Sequence, residues 1–139
     1  MQTYLEPTQE SARALFLRGI QGRIVMLNLL RFRTEADYST TPRLAPPSPI
    51  SGEAAYRLYM QHTMPHLERS GGRLLFFGCG GPFLIGPANE RWDAAMLVEQ
   101  ASTTEFMAFA SNPEYMGGIG HRTAALEDSR LLPLEALDW

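Results

Sequence analysis

The chain has 139 residues, a net charge of −3 at pH 7, and 45% apolar against 19% charged residues, the size and balance of one globular domain with a core of its own. All twelve basic residues are arginine, which excludes lysine Schiff-base and lysine general-base chemistry, and no basic face forms that would suit nucleic acid. The single cysteine, Cys79, excludes an intramolecular disulfide and a CxxC site.

No basic-then-apolar leader opens the chain, and no apolar run approaches the roughly 20 residues that span a bilayer. The expectation is a cytoplasmic protein with no membrane partner.

Residues 8–18, TQESARALFLR, predict a short amphipathic helix with Ala12, Leu15 and Phe16 on one face and Gly19 able to end it. RIVMLNLLRF, residues 23–32, reads as the first strand. Residues 34–50 carry four prolines, so they can be neither helix nor inner strand. They are expected to form an ordered arm or lid. Ser51 caps a long helix whose inner stripe is Tyr56, Tyr59, Met60, Thr63 and Leu67, with Arg57, Gln61, Met64 and Glu68 opposite. Pro65 should kink it, and Gly71-Gly72 should stop it.

RLLFFGC (73–79) and RWDAAMLVE (91–99) read as strands two and three, joined by a turn-rich segment. Ser102 and Glu105 form a capping-box pattern before a helix with Phe106, Phe109 and Ala110 inward. Asn112-Pro113 breaks that helix and starts another. SRLLPL (129–134) is the last strand, and Pro133 marks its end or a sheet edge.

The order is a helix followed by β-α-β-β-α-β. That predicts one α+β ferredoxin-like domain over 1–139, with a core at about 23–133, a four-stranded antiparallel sheet and an extra N-terminal helix. Both faces of the strands are apolar: Ile24, Met26, Leu30 and Phe32 point one way, and Val25, Leu27 and Leu29 the other. Helices can cover only one face. The other calls for a homodimer with sheets packed face to face, closing a dimeric α/β barrel, or for coverage by the arm and first helix.

The stretch NPEYMGGIGHRTAALEDSRLL (112–132) resembles a phosphate loop only in its glycines. It lacks the lysine of a P-loop and the strand-first spacing of a dinucleotide fingerprint. Read as a helix over 113–127, it aligns Tyr115, Ile119, Arg122 and Leu126 on one stripe. Three glycines, each costing about 1 kcal/mol against alanine, then imply close backbone approach. Arg122 on a buried stripe needs either a carboxylate, with Asp93 and Glu99 as candidates, or a bound anion or carbonyl.

Other residues carry paired readings. Asn28 interrupts an apolar strand face, so its amide bonds either a neighbouring element or a ligand. Tyr56 and Tyr115 are core aromatics or pocket walls, and Trp92 is a possible wall. Asp93 is an arginine partner or a base. His66 is a helix-end histidine or an acid-base group, and His121 lies beside the stripe. His62 and His66 lack the glutamate of HExxH, so no metal is expected. Cys79 has no activating neighbour in sequence.

VMLNLLRFR, ADYS, SGEAAYRLY, GGRLLFFG, IGPANERWD and the 112–132 stretch resemble the family called domain of unknown function 1330, over about residues 23–133. The resemblance implies a homodimer of the dimeric α/β-barrel superfamily with a pocket between sheet and helices. It also places Asn28, Tyr56, Trp92, Asp93, Tyr115, His121 and Arg122 at the family's polar and aromatic positions.

The reading that follows is a small-molecule binder with no cofactor, holding an unidentified carboxylate or carbonyl compound on Arg122 and Asn28. Tyr56, Trp92 and Tyr115 are its walls and 34–50 its lid. If it is an enzyme, isomerase or monooxygenase-like chemistry without a cofactor would use His66, His121 or Asp93 as base. The alternative is a non-catalytic dimeric structural or interaction module whose polar residues only satisfy one another.

Overall fold

The structure is a computed structural model and describes residues 2–138. Helix α1 (Gln9–Leu17) precedes β1 (Ile24–Phe32), α2 (Gly52–Arg69), β2 (Arg73–Pro82), β3 (Arg91–Gln100), α3 (Thr103–Ser111), α4 (Pro113–Met116), α5 (Ile119–Ala125) and β4 (Leu126–Leu134). The four strands form one sheet in the order β2-β3-β1-β4, every neighbour antiparallel. This is the ferredoxin-like α+β fold.

Alternation decides which side of the sheet is core. Ile24, Met26, Asn28 and Leu30 are buried, while Val25, Leu27 and Leu29 between them are only half-buried. Of the expected stripe of α2, Tyr56, Tyr59, Thr63 and Leu67 are buried and Met60 is half-buried, while Met64, expected opposite, is also half-buried against the core. Tyr56, Tyr59 and Leu67 pack with Leu30, Met96, Phe109, Tyr115 and Leu126 in the main core. The side chains of Ser51 and Ser102 cap α2 and α3 by accepting from the Ala54 and Glu105 amides. Helix α2 runs through Pro65 to Arg69, and Gly71, at φ +84°, ends it.

Three sequence expectations need correction. The stretch 113–127 is not one helix: it breaks at Gly117-Gly118 into α4 and α5, and Leu126 already belongs to β4. Helical spacing cannot register a break that depends on neighbours. The added Cβ that any other residue would bring at Gly118 meets the His62 ring, and at Gly120 it meets Thr41 and Leu44 of the arm. In α1, Leu15 is buried but Phe16 is 67% exposed, because the helix rests on Ile24 and Met26 along a single line. The arm does not cross the sheet. It packs on α5, where Asp37 N–H donates to the Ala124 carbonyl at 2.9 Å, and it contains a 3-10 turn at Pro42–Leu44.

With α1 and the arm both on the helical side, the far face of the sheet keeps Phe76, Leu132 and Leu134 exposed beside half-buried Leu27, Leu29 and Leu97.

Gly52 is the tightest junction. Its N–H donates to the Arg33 carbonyl at 3.0 Å, and a Cβ there would strike the carbonyls of Arg33 and Ala125. Since backbone on two other elements cannot yield, Gly52→Ala should lower stability by about 2–3 kcal/mol in urea unfolding despite alanine's better helix propensity. Gly81→Ala, which meets nothing within 4 Å, should be neutral or gain about 0.5 kcal/mol.

Candidate ligand-binding site

Three of the sequence candidates converge under β4. Tyr56 and Tyr115 are buried in the core, and the Tyr115 hydroxyl shares a 2.8 Å hydrogen bond with that of Tyr59. Burial pushes the Tyr56 hydroxyl far above its usual range, and Tyr59 adds to this, while the nearby Arg122 guanidinium opposes it. Tyr115 is raised in the same way, chiefly by burial. Both hydroxyls therefore stay neutral donors and acceptors.

Arg122, on α5, is half-buried. Its Nη1 donates to the Leu5 carbonyl and its Nη2 to the Ser129 hydroxyl at 3.3 Å. Neither expected carboxylate reaches it: Glu99 pairs with Arg23 and Arg73, and Asp93 lies near Arg91. Among the described residues no carboxylate lies within ion-pair distance of Arg122.

The remaining candidates lie elsewhere. Asn28 is buried, but its Nδ2 donates to the Met26 carbonyl of its own strand at 3.1 Å, so this amide is engaged locally. Trp92 is not a wall of the tyrosine cluster. The guanidinium groups of Arg31 and Arg130 lie 4.8 and 4.9 Å from its ring centroid, and its Nε1 donates to Glu90. Cation–π attraction to two arginines explains the placement.

Asp93 accepts from the Phe32 N–H at 2.8 Å. It lines an open cleft of about 370 Å3 with Phe32, Arg33, Ser51, Glu53 and Cys79. Two carboxylates beside one guanidinium make that cleft poor for an anion. His66 sits near the end of α2, its ring tilted at 50° to that of His62 with centroids 5.2 Å apart, and its Nδ1 3.1 Å from Arg69. Among the described residues no three metal-ligating side chains gather.

His121 lies beneath the arm, where its Nδ1 and the Tyr38 hydroxyl share a 2.7 Å hydrogen bond.

One network escaped the sequence reading. Asp128 is fully buried. Its Oδ1 accepts from the N–H groups of Tyr4 and Ser129, both at 2.8 Å, and from Arg130 at 2.7 Å. Burial pushes this carboxyl up, and those donors more than offset it, so it lies below the ordinary range. The Ser129 hydroxyl donates to the Tyr4 carbonyl at 2.6 Å. Acid, serine and arginine in EDSR were visible, but their common partner lies more than 120 residues away in sequence.

No family model matches this chain, and no curated protein matches it. Among solved structures it is similar to the RPA0582 protein of unknown function from Rhodopseudomonas palustris: 36% identity over 99% of each chain, TM-score 0.82. The methylated RPA0582 protein gives 35% identity over 99% of this chain and 98% of that one, TM-score 0.84. The chain belongs to the family of the RPA0582 protein. A dimeric ferredoxin-like protein of unknown function from Jannaschia sp. CCS1 shares the fold at 15% identity, over 83% of this chain and 100% of that one, TM-score 0.52. No helix among the described residues is long and apolar enough to cross a membrane.

Burial and the neighbouring His62 lower the His121 pKa. In the unfolded chain the imidazole returns to about 6.5, so between the two values the unfolded state binds more protons and stability rises with pH. The melting temperature should therefore fall as pH drops below about 6.5, and His121→Gln should flatten that slope.

Proposed function

We propose that this member of the RPA0582 family is a homodimer whose protomers each bind a small carboxylate- or carbonyl-containing organic molecule at Arg122. The observation that carries the reading is a half-buried guanidinium whose hydrogen bonds go to two neutral oxygens. The present bonds of Arg122 are charge-assisted on the donor side only, whereas a carboxylate adds the opposite charge and can be gripped with two parallel bonds. A carboxylate is thus a better partner for Arg122 than the oxygens it now holds.

The reading is of binding rather than acid-base catalysis. Asp93 and His66 have partners remote from Arg122. His121 adjoins Arg122 in sequence, and its Nδ1 is held by Tyr38 beneath the arm.

The apolar far face of the sheet supports the dimer, as does the dimeric description of the Jannaschia protein with this fold. A stable interface takes about 800 Å2 from each partner, which a four-stranded face can supply.

Two experiments test these statements. Benzoate and butyrate should raise the melting temperature of the protein, whereas Arg122→Gln, still folded, should show no shift; an unchanged shift in that variant would move the site elsewhere. Leu27→Asp with Leu132→Asp should convert a dimer to a monomer in sedimentation velocity. A wild-type protein that sediments as a monomer at tens of micromolar would remove the dimer.

A further inference from the structure

The segment before α1 occupies the Arg122 site as a ligand would. Its backbone is read atom by atom. The Tyr4 N–H donates to Asp128 Oδ1 at 2.8 Å, the Ser129 hydroxyl donates to the Tyr4 carbonyl at 2.6 Å, and Arg122 donates to the Leu5 carbonyl. The side chains are held as well. Leu5 packs on the main core cluster, and the Arg130 guanidinium lies 4.9 Å from the Tyr4 ring centroid. Three side chains of α5 and β4 thus hold three successive peptide units of a segment with no regular secondary structure of its own.

The Arg122 and Ser129 side chains line one groove along this segment, beside the core cluster on which Leu5 packs. It presents a donor to each of two consecutive carbonyls, with an apolar seat between them.

From this we infer that Tyr4-Leu5 is an internal stand-in for the ligand, and that the external ligand class is an N-acyl amino acid with an aliphatic side chain. The inference rests on the Arg122 reading above. The carboxylate of such a molecule replaces the Leu5 carbonyl on Arg122, its amide carbonyl takes the Ser129 hydroxyl, and its side chain takes the seat of Leu5. The negative charge gives it the advantage over the neutral carbonyl it displaces. Because the stand-in is tethered at high effective concentration, the wild-type protein binds weakly, and ligand and segment exclude each other.

The probe is N-acetyl-L-leucine, added to the full-length protein and followed by calorimetry and by hydrogen exchange at the Tyr4 amide. Leu5→Gly and Tyr4→Gly each weaken the stand-in from a different contact, so the test does not depend on one variant folding. Both should bind the probe at least tenfold more tightly than wild type, and Arg122→Gln should not bind it. In wild type, saturating probe should speed exchange of the Tyr4 amide. N-acetyl-L-leucinamide, which lacks the carboxylate, should bind at least tenfold more weakly than the acid.

Equal affinity of wild type and both glycine variants, or an unchanged Tyr4 exchange rate at saturation, would overturn the stand-in. If benzoate binds through Arg122 while N-acetyl-L-leucine does not, the ligand class falls and the carboxylate site stands. If neither binds wild type or the glycine variants, both readings fall together.

Discussion

A guanidinium cannot shed its charge, and it cannot be buried without acceptors. That constraint at Arg122 organises much of this molecule. The arginine sits on a short helix, packed beside a tyrosine cluster, and the chain answers its need with the Leu5 carbonyl and the Ser129 hydroxyl rather than a carboxylate. The N-terminal segment, the start of β4 and the end of α5 are thereby drawn into one hydrogen-bonded junction, with Asp128 buried at its side. No carboxylate among the described residues neutralises Arg122: Glu99 pairs with Arg23 and Arg73, and Asp128 with Arg130 and, at 3.8 Å, Arg31.

Local chemistry made most of the fold legible. The Ser51 and Ser102 caps and the tyrosine stripe of α2 are signals within a few residues, and each formed where its chemistry points; the alternation of β1, apolar on both faces in sequence, emerges only in its burial. The errors came where tertiary contact outweighs propensity. The helix expected over 113–127 breaks at Gly117-Gly118, where His62 leaves Gly118 no room for a side chain. Phe16 looked inward by periodicity, yet α1 is too short and too peripheral to bury more than a narrow line.

The candidate site was legible by residue type and less so by grouping. Tyr56, Tyr115 and Arg122 do gather, since two lie on buried helical stripes and the third on the helix packed against them. Asn28, Trp92, Asp93 and His66 found partners that no spacing rule could supply: a carbonyl in the same strand, two arginines from β1 and β4, a backbone amide, and a neighbouring arginine. Asp128, Ser129 and the Tyr4-Leu5 backbone went unread because they meet only when the two ends of the chain do.

The most direct test of the account follows the Arg122 side chain itself. In a titration with benzoate, the Nε–Hε resonance of Arg122, assigned by its loss in Arg122→Gln, should shift and saturate with the same dissociation constant that calorimetry gives. A resonance that stays fixed while the protein binds benzoate would contradict the assignment of Arg122 as the carboxylate-binding group.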